Sequence, residues 1–221
     1  MSMNPDRWNS ICTYLDDVFG GEDEHLATLM PKAIAAGVPD IAVSSSVGAM
    51  IHMLVKSIGA KTAVEVGTLA GYSGTWIARG LGEDGKLITI EPMDLHADIS
   101  QAGFDACGLT DRVRIVRETG LEALPKLVDE LGAGSVDVVF LDAIKFEYPD
   151  YLPYAKTLLR SGGLLIADNA IGSTEWCVVN PQGSHPNRDG VDRFNRLVAN
   201  DEDFDACCVP IREGVMVARK R

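Results

Sequence analysis

The sequence lacks the features that would direct it to a nucleic acid or a membrane. Its 221 residues include 20 lysines and arginines against 32 aspartates and glutamates, a net charge of −12. Binding to a phosphate backbone needs a basic face, so this balance argues against nucleic-acid binding. No apolar run is long enough to span a bilayer, so we expect no membrane segment.

Paired cysteine motifs and a secretory leader are also missing. The five cysteines are odd in number and form no CxxC pair: Cys12, Cys107, Cys177, Cys207 and Cys208. This usage favours reduced thiols over disulfides or a zinc site. The first residues lack a cationic start followed by an apolar stretch, so we expect a cytoplasmic protein.

The apolar pattern alternates between short buried runs and amphipathic segments. It predicts strands over 63–67, 86–91, 113–117, 136–141 and 163–167, with helices over 73–81, 97–107, 121–131 and 150–159. A helix in "VDRFNRLVAND" and a hairpin turning at 212–214 follow. We therefore predict an α/β fold with a Rossmann-like, doubly wound, mostly parallel seven-stranded sheet whose C-terminal hairpin adds an antiparallel strand.

The first part of the chain is predicted to be helical. Residues 4–36 carry apolar positions at three- and four-residue spacing, and a serine cluster can cap a helix over Val47–Ile58. With no linker in the sequence, we expect one domain over 1–221, with a helical cap region over 1–58 and a core over 60–221. The extra N-terminal helices could cover the site or pair two subunits.

The stretch "TAVEVGTLAGYSGTWIARGL" joins the first strand to a helix through glycines. Its spacing, Gly67-x-x-x-Gly71-x-x-Gly74, departs from the G-x-G-x-x-G of dinucleotide sites. Glu65 lies two residues before the first of these glycines, where it would repel a pyrophosphate and attract an ammonium or sulfonium group. The turn therefore favours a cationic cofactor over a dinucleotide.

The second strand ends in "LITIE", which places Glu91 at its carboxyl end. An acid in this position accepts hydrogen bonds from ribose hydroxyls. The signal fits a nicotinamide cofactor and S-adenosylmethionine equally, and a solvated strand-end charge is the simpler alternative.

Polar side chains also follow two later strands. Asp142 and Lys145 follow "VVFL", and Asp168 and Asn169 follow "GLLIA". Two carboxylates and an amide are hard oxygen ligands that suit Mg²⁺, and Lys145 beside such a cation would have a lowered pKa and could take a proton. The alternatives are capping of the following helices and an ion pair between Lys145 and Glu147.

Several ordered motifs together resemble the class I S-adenosylmethionine-dependent methyltransferases. These motifs are "VEVGTLAGYSGTWIARGL", "GKLITIE", "GLTDRVRIV", "VDVVFLDAIKFEYPDYL" and "LLRSGGLLIADN". More narrowly, the chain from about Ile41 onward is similar to the small cation-dependent O-methyltransferases, which include catechol and caffeoyl-CoA O-methyltransferases of bacterial type. The resemblance implies methyl transfer to a hydroxyl of a small catechol-like phenolic, and a homodimer.

The resemblance also implies roles for individual residues. Cofactor contacts are implied for Val43, Glu65, Gly67, Thr68, Ser73, Glu91, Gly120 and Asp142. Of these, Glu65, Gly67 and Ser73 line the methionine part, Glu91 holds the ribose and Gly120 meets the adenine. The resemblance assigns Asp142, Asp168 and Asn169 to Mg²⁺ or another divalent cation, and catalysis to Lys145 and Asp142.

This chain departs from its relatives in three places. Ile144 stands where many relatives have a cofactor-contacting acid, and Glu118 stands where they often have glycine. The segment after Asn169 is the least similar, and its Trp176, Asn180 and His185 could form an acceptor wall or a solvated loop.

Two further possibilities stay open. The aromatic residues Trp8, Tyr14 and Phe19 could contact a flat acceptor across a dimer, although core packing is the commoner use of such spacing. The alternatives for function are a methyltransferase with a different natural-product acceptor, an NAD(P)-dependent oxidoreductase and a non-catalytic cofactor-binding protein.

Overall fold

The computed structural model describes residues 4–173, 175–179 and 183–221. Its strands are β1 (Thr62–Val66), β2 (Lys86–Ile90), β3 (Val113–Val116), β4 (Val136–Leu141), β5 (Leu159–Ala167), β6 (Phe204–Val209) and β7 (Val215–Lys220). They form one seven-stranded sheet in the order β3-β2-β1-β4-β5-β7-β6. β1 to β5 are parallel, and β7 runs antiparallel to both β5 and β6. The predicted sheet and its reversed hairpin strand are confirmed.

Helices cover both faces of the sheet, as the alternating pattern predicts. They are α1 (Pro5–Phe19), α2 (Glu24–Ala35), α3 (Ser45–Ser57), α4 (Tyr72–Gly80), α5 (Asp94–Ala106), α6 (Gly120–Leu131), α7 (Tyr148–Leu158) and α8 (Pro186–Ala199), with a 3₁₀ turn over Lys145–Glu147. Val139 and Leu141 of β4 join the apolar cluster under α6, α7 and α8. Val138 and Phe140 join the cluster under α2 to α5. This division follows from the period of two along a strand.

The three N-terminal helices differ in how much they bury. Leu26 of α2 and Ile51 of α3 are completely or almost completely buried against the sheet layer. By contrast, α1 contributes no buried residue. The division into a cap region over 1–58 and a core stays a prediction. Within the described part of the chain, none of the helices has the length and apolarity needed to cross a membrane.

One carboxylate joins α1 to α3. Asp16 accepts hydrogen bonds from the backbone N–H of Ser46 at 3.0 Å and from its hydroxyl at 2.6 Å. Burial raises the pKa of Asp16, but these hydrogen bonds outweigh it and hold the pKa below its usual range. The carboxylate lies at the N-terminus of α3, where the helix dipole favours negative charge. The predicted serine cap is confirmed, with Ser44 as the capping residue.

Candidate active site

The strand register brings the predicted site residues to one edge of the sheet. The last residues of β1, β2, β4 and β5 pair in a row across the sheet: Val66, Ile90, Leu141 and Ala167. The residues that follow are therefore neighbours: Gly67, Glu91, Asp142 and Asp168. Backbone hydrogen bonds extend the pairing beyond the strands, from Asp142 N to Val66 O at 2.9 Å and from Asp168 N to Leu141 O at 3.0 Å.

The turn after β1 is shaped by glycines. Gly67 has φ +100°, and a Cβ there would lie 2.2 Å from the carbonyl oxygen of Asp142. Gly71 has φ +84° and precedes the first residue of α4. Among the described residues no side chain caps α4, so its first N–H groups are open to an anionic group of a ligand.

Glu65 lies beneath this turn and is completely buried. One oxygen accepts from the hydroxyl of Ser73 at 2.6 Å, and the other accepts from Thr89 at 2.7 Å. The Thr68 and Thr89 hydroxyls are 2.5 Å apart, which extends the network into the turn. Burial raises the pKa of Glu65 to about 7, although the hydrogen bonds oppose the shift. The sequence did not single out Thr89, although the alternation along β2 points it inward.

Glu91 is also held by hydrogen bonds, and only 5% of it is exposed. Its Oε2 accepts from the backbone N–H of Leu69 at 2.9 Å, and its Oε1 accepts from that of Met93 at 3.0 Å. His96 Nδ1 lies 3.4 Å from Oε1. A solvated strand-end charge is therefore the wrong interpretation of Glu91. No periodicity of the sequence indicated these three partners.

Gly120 and Val43 lie against elements of the same turn. A Cβ on Gly120 would lie 2.8 Å from Val66 Cγ1 and from a ring carbon of Tyr151, so the start of α6 packs closely on the end of β1. Val43 is buried in the apolar cluster that also contains Tyr72 of α4.

Glu118, the departure near the expected adenine contact, forms an ion pair with Lys126 at 2.8 Å. The side chain is thereby tied to a residue of α6 rather than free over the turn.

Lys145 lies between two partners at the end of β4. Its Nζ donates to Asp142 Oδ1 at 2.5 Å and to the hydroxyl of Tyr148 at 2.9 Å. Glu147 instead accepts a hydrogen bond from Tyr151, so the expected alternative of a Lys145–Glu147 pair is wrong. Tyr148 was not among the predicted site residues, although its spacing of three from Lys145 puts it within reach.

The pKa of Lys145 is raised, although the sequence analysis predicts a lowered value. Burial lowers this pKa, but the negative charges of Asp142 and Asp168, with Tyr148, outweigh the burial. The lowered pKa is predicted for a site in which a divalent cation offsets the two carboxylates, and for that site it stays a prediction.

Asp168 and Asn169 complete the cluster at the end of β5. Burial and the nearby charge of Asp142 raise the pKa of Asp168. Asn169 has φ +56°, a left-handed conformation that is uncommon outside glycine and is concentrated at functional sites. Among the described side chains, neither aspartate caps the 3₁₀ turn, α7 or α8, so capping is the wrong interpretation of them.

The donor chemistry of this cluster fits Mg²⁺. Two neighbouring desolvated carboxylates and an amide offer hard oxygen ligands and leave further positions open. Over residues 4–173, 175–179 and 183–221, no three His, Cys, Asp or Glu side chains group around a possible metal position.

The segment after Asn169 folds over the hairpin turn and α8. Ala170 N donates to Gly214 O at 2.8 Å, and Asn195 of α8 donates to Ala170 O at 2.7 Å. Trp176 is buried and stacks on His185, with ring centroids 6.1 Å apart. His185 is thus packed against Trp176 rather than being a solvated loop residue, while the predicted Asn180 lies outside the described residues.

Two of the N-terminal aromatic side chains face solvent. Tyr14 is 60% exposed and Phe19 is 59% exposed, whereas Trp8 is half-buried. Core packing is therefore the wrong interpretation of Tyr14 and Phe19.

The fold and the turn define a class of protein. A parallel sheet with a reversed strand β7, an acid beneath an open helix N-terminus and a second acid after β2 are typical of S-adenosylmethionine-dependent methyltransferases. The model of the O-methyltransferase family matches residues 17–221, and the chain belongs to that family.

Individual relatives support the same assignment. The chain is 38% identical to a catechol O-methyltransferase of Niastella koreensis, over 92% of this chain and 91% of that protein. An O-methyltransferase from Bacillus cereus in complex with S-adenosylhomocysteine superposes with a TM-score of 0.89 at 30% identity, covering 98% of this chain and 99% of that one. TomG from Streptomyces achromogenes, solved with S-adenosylmethionine, gives a TM-score of 0.87 at 31% identity, covering 99% of both. The protein is accordingly an S-adenosylmethionine-dependent O-methyltransferase, not an oxidoreductase or a non-catalytic binding protein.

Proposed function

We propose that this enzyme methylates a hydroxyl of a small catechol-like phenolic with the help of Mg²⁺. The observation that carries the proposal is that Asp142 and Asp168 follow neighbouring strand ends, with Lys145 paired to Asp142, at the edge that also carries the turn after β1. Asn169 follows Asp168 in the sequence and supplies the amide. The name of the Niastella koreensis relative, catechol O-methyltransferase, supports the acceptor class.

Different residues along this edge are proposed to hold different parts of the cofactor. We assign Glu91 to the ribose, Gly120 to the adenine side, and Gly67, Thr68 and Ser73 with the open N-terminus of α4 to the methionine part. Glu65 acts from beneath through its hydrogen bond with Ser73. Val43 lies on the α3 side and closes over the carboxylate end.

Asp142, Asp168 and Asn169 would hold the cation, and Asp142 would also border the cofactor. When bound, S-adenosylmethionine supplies an activated methyl group and Mg²⁺ supplies positive charge that favours an ionised acceptor oxygen. With the cation offsetting the two carboxylates, Lys145 would be a neutral amine whose Nζ could receive the proton of the acceptor hydroxyl. S-adenosylmethionine would supply the methyl group to that oxygen and leave as S-adenosylhomocysteine. The protein's main contribution is alignment, because the methyl group needs no covalent activation by a side chain.

A natural-product intermediate is the second candidate acceptor. It is favoured by the likeness to TomG, which is described as involved in tomaymycin synthesis. The segment after Asn169, with its stacked Trp176 and His185, would distinguish the two acceptors because it adjoins the cation ligands.

Two broader expectations complete the proposal. We expect a homodimer, because α1 exposes Tyr14, Val18 and Phe19, three large apolar side chains that a partner could cover. We also expect a cytoplasmic location.

The experiment that tests the proposal is mass spectrometry of a caffeate-type catechol incubated with enzyme and S-adenosylmethionine, with Mg²⁺ or with EDTA. We expect a gain of one methyl mass that EDTA abolishes. Asp142→Ala should remove the gain, whereas Asp205→Ala, which alters an exposed aspartate on β6, should keep it. A gain that survives EDTA would contradict the metal part, and no gain with the catechol would contradict the acceptor class.

A further inference from the structure

Tyr148 is completely buried at the start of α7, with its hydroxyl between the ends of β4 and β5. The hydroxyl oxygen lies 2.9 Å from the carbonyl oxygen of Leu141 and 3.4 Å from that of Asp168. Leu141 immediately precedes Asp142, so both carbonyls belong to the strand ends that carry the carboxylates of the site.

Lys145 fixes the direction of these hydrogen bonds. A backbone carbonyl can only accept, so the single phenolic proton is donated to Leu141 O, the nearer of the two. The phenolic oxygen then accepts from Lys145 Nζ, which lies 2.9 Å away. Nζ also donates to Asp142 Oδ1.

We propose that Tyr148 is a positioning residue that aims the Lys145 amino group at the acceptor hydroxyl. The nitrogen is tetrahedral, and its bond to Cε leaves three positions, of which two are directed at Asp142 and Tyr148. The remaining position is thereby left for the acceptor. The inference deepens the proposed function and rests on it, because it concerns how Lys145 is presented to the hydroxyl that is methylated.

The ring that carries this hydroxyl is itself immobilised. It packs edge-to-face on Phe194 of α8, with ring centroids 5.3 Å apart and an interplanar angle of 72°. Gly190 lets α8 approach closely, because a Cβ there would lie 2.5 Å from the Cα of Phe146. A single hydrogen bond to Asp142 would let the lysine rotate, whereas the rigid phenol adds a second fixed contact.

The first test measures the order of the Lys145 amino group by nuclear magnetic relaxation, with the signal assigned from Lys145→Arg. Tyr148→Phe keeps the ring and removes only the hydroxyl, and we expect it to lower the order parameter of this group. The matched control is Tyr151→Phe, one turn along α7, which removes a hydroxyl that binds Glu147 and should leave the order unchanged. An unchanged order parameter in Tyr148→Phe would overturn the proposal.

The second test compares a catechol with a nitrocatechol whose hydroxyl is already ionised at the assay pH. Because small misplacement of catalytic groups is costly, Tyr148→Phe should lower kcat about tenfold for the catechol, with an unchanged KM for S-adenosylmethionine. Turnover of the nitrocatechol should stay within about twofold of wild type, since no proton has to be removed.

An equal loss for both acceptors would mean a merely structural role and would overturn the proposal. If the wild type methylates neither acceptor, the catechol part of the proposed function fails, and the relaxation measurement still decides the role of Tyr148.

Discussion

At the ends of β1 and β2 the carboxylates accept hydrogen bonds from neutral donors, whereas at the ends of β4 and β5 they lie beside each other and a lysine. Glu65 is held by two hydroxyls and Glu91 by two backbone N–H groups. Asp142 accepts a hydrogen bond from Lys145, while burial and the charge of Asp142 together raise the pKa of Asp168. The half-site of β1 and β2 is organised by hydrogen bonds, and that of β4 and β5 by charge.

This difference supports the proposed division of cofactor and cation between the two halves. Preorganised hydrogen bonds suit a large cofactor that must be oriented in one pose. Two neighbouring buried carboxylates repel each other, and a divalent cation relieves that repulsion. Substitutions can change one half at a time.

Asp168→Asn should have the largest effect, because it removes one of the two neighbouring carboxylates from the half-site of β4 and β5. We expect methyl transfer to fall by about 1,000-fold, as several kcal/mol of stabilisation of the ionised acceptor are lost. The measurement is kcat/KM over a range of Mg²⁺ concentrations. Thermal stabilisation by S-adenosylhomocysteine should persist. Its loss would mean that the variant is misfolded and does not merely lack one ligand of the cation.

Lys145→Met should lower kcat by about 100-fold, the lower end for loss of a general base. KM for S-adenosylmethionine should stay nearly unchanged, because Lys145 lies in the half-site of β4 and β5. Steady-state kinetics with both substrates varied separate these parameters. A large rise in that KM with kcat intact would contradict the assigned role.

Glu91→Ala should act on the other half and weaken cofactor binding by about tenfold, as expected when hydrogen bonds to a charged group are lost. The loss leaves the backbone N–H groups of Leu69 and Met93 without their acceptor. Calorimetric titration with S-adenosylhomocysteine measures the effect. Unchanged affinity would show that Glu91 only stabilises the turn after β1 and does not bind the cofactor.

Glu65→Gln should change the pH dependence of stability more than activity. Because the folded-state pKa is raised to about 7 from 4.5, the folded protein binds the extra proton, and wild-type stability falls as pH rises through that window. The slope from this group is at most about 1.4 kcal/mol per pH unit. Urea unfolding at several pH values should show a shallower decline in Glu65→Gln, while Glu130→Gln, at an exposed residue, keeps the wild-type slope.

Glu118→Gly should have the smallest effect, less than about twofold on KM for S-adenosylmethionine, since an exposed ion pair contributes little. The pair with Lys126 directs this side chain along α6. A clearly larger change would mean that Glu118 contacts the cofactor and is not limited to its pair with Lys126.

The position of several site residues could be predicted because it follows from the order of strands and helices along the sequence. Buried parallel strands must bring their carboxyl ends to one edge, so polar residues that follow such strands are placed together by the alternation alone. The alternation places Glu91, Asp142 and Asp168 at this edge, whereas the hairpin turn at 212–214 predicts the reversed strand β7.

What could not be predicted depends on side-chain packing between distant segments. The contacts of Asp16 with Ser46 and of Leu69 with Glu91 span 30 and 22 residues. No local period encodes them. The direction of the Lys145 pKa depends in the same way on what surrounds the amine, since burial lowers it and the neighbouring carboxylates of Asp142 and Asp168 raise it.

The single row formed by the ends of β1, β2, β4 and β5 also determines where the chain can change length. Deleting one residue within β4 would exchange the faces on which Val139 and Phe140 are buried and withdraw Asp142 by one strand step, about 3.3 Å. Residues added after Asn169 alter neither register nor face. The segment after Asn169 can therefore vary in length while the residues that follow β1, β2, β4 and β5 keep their positions at the edge of the sheet.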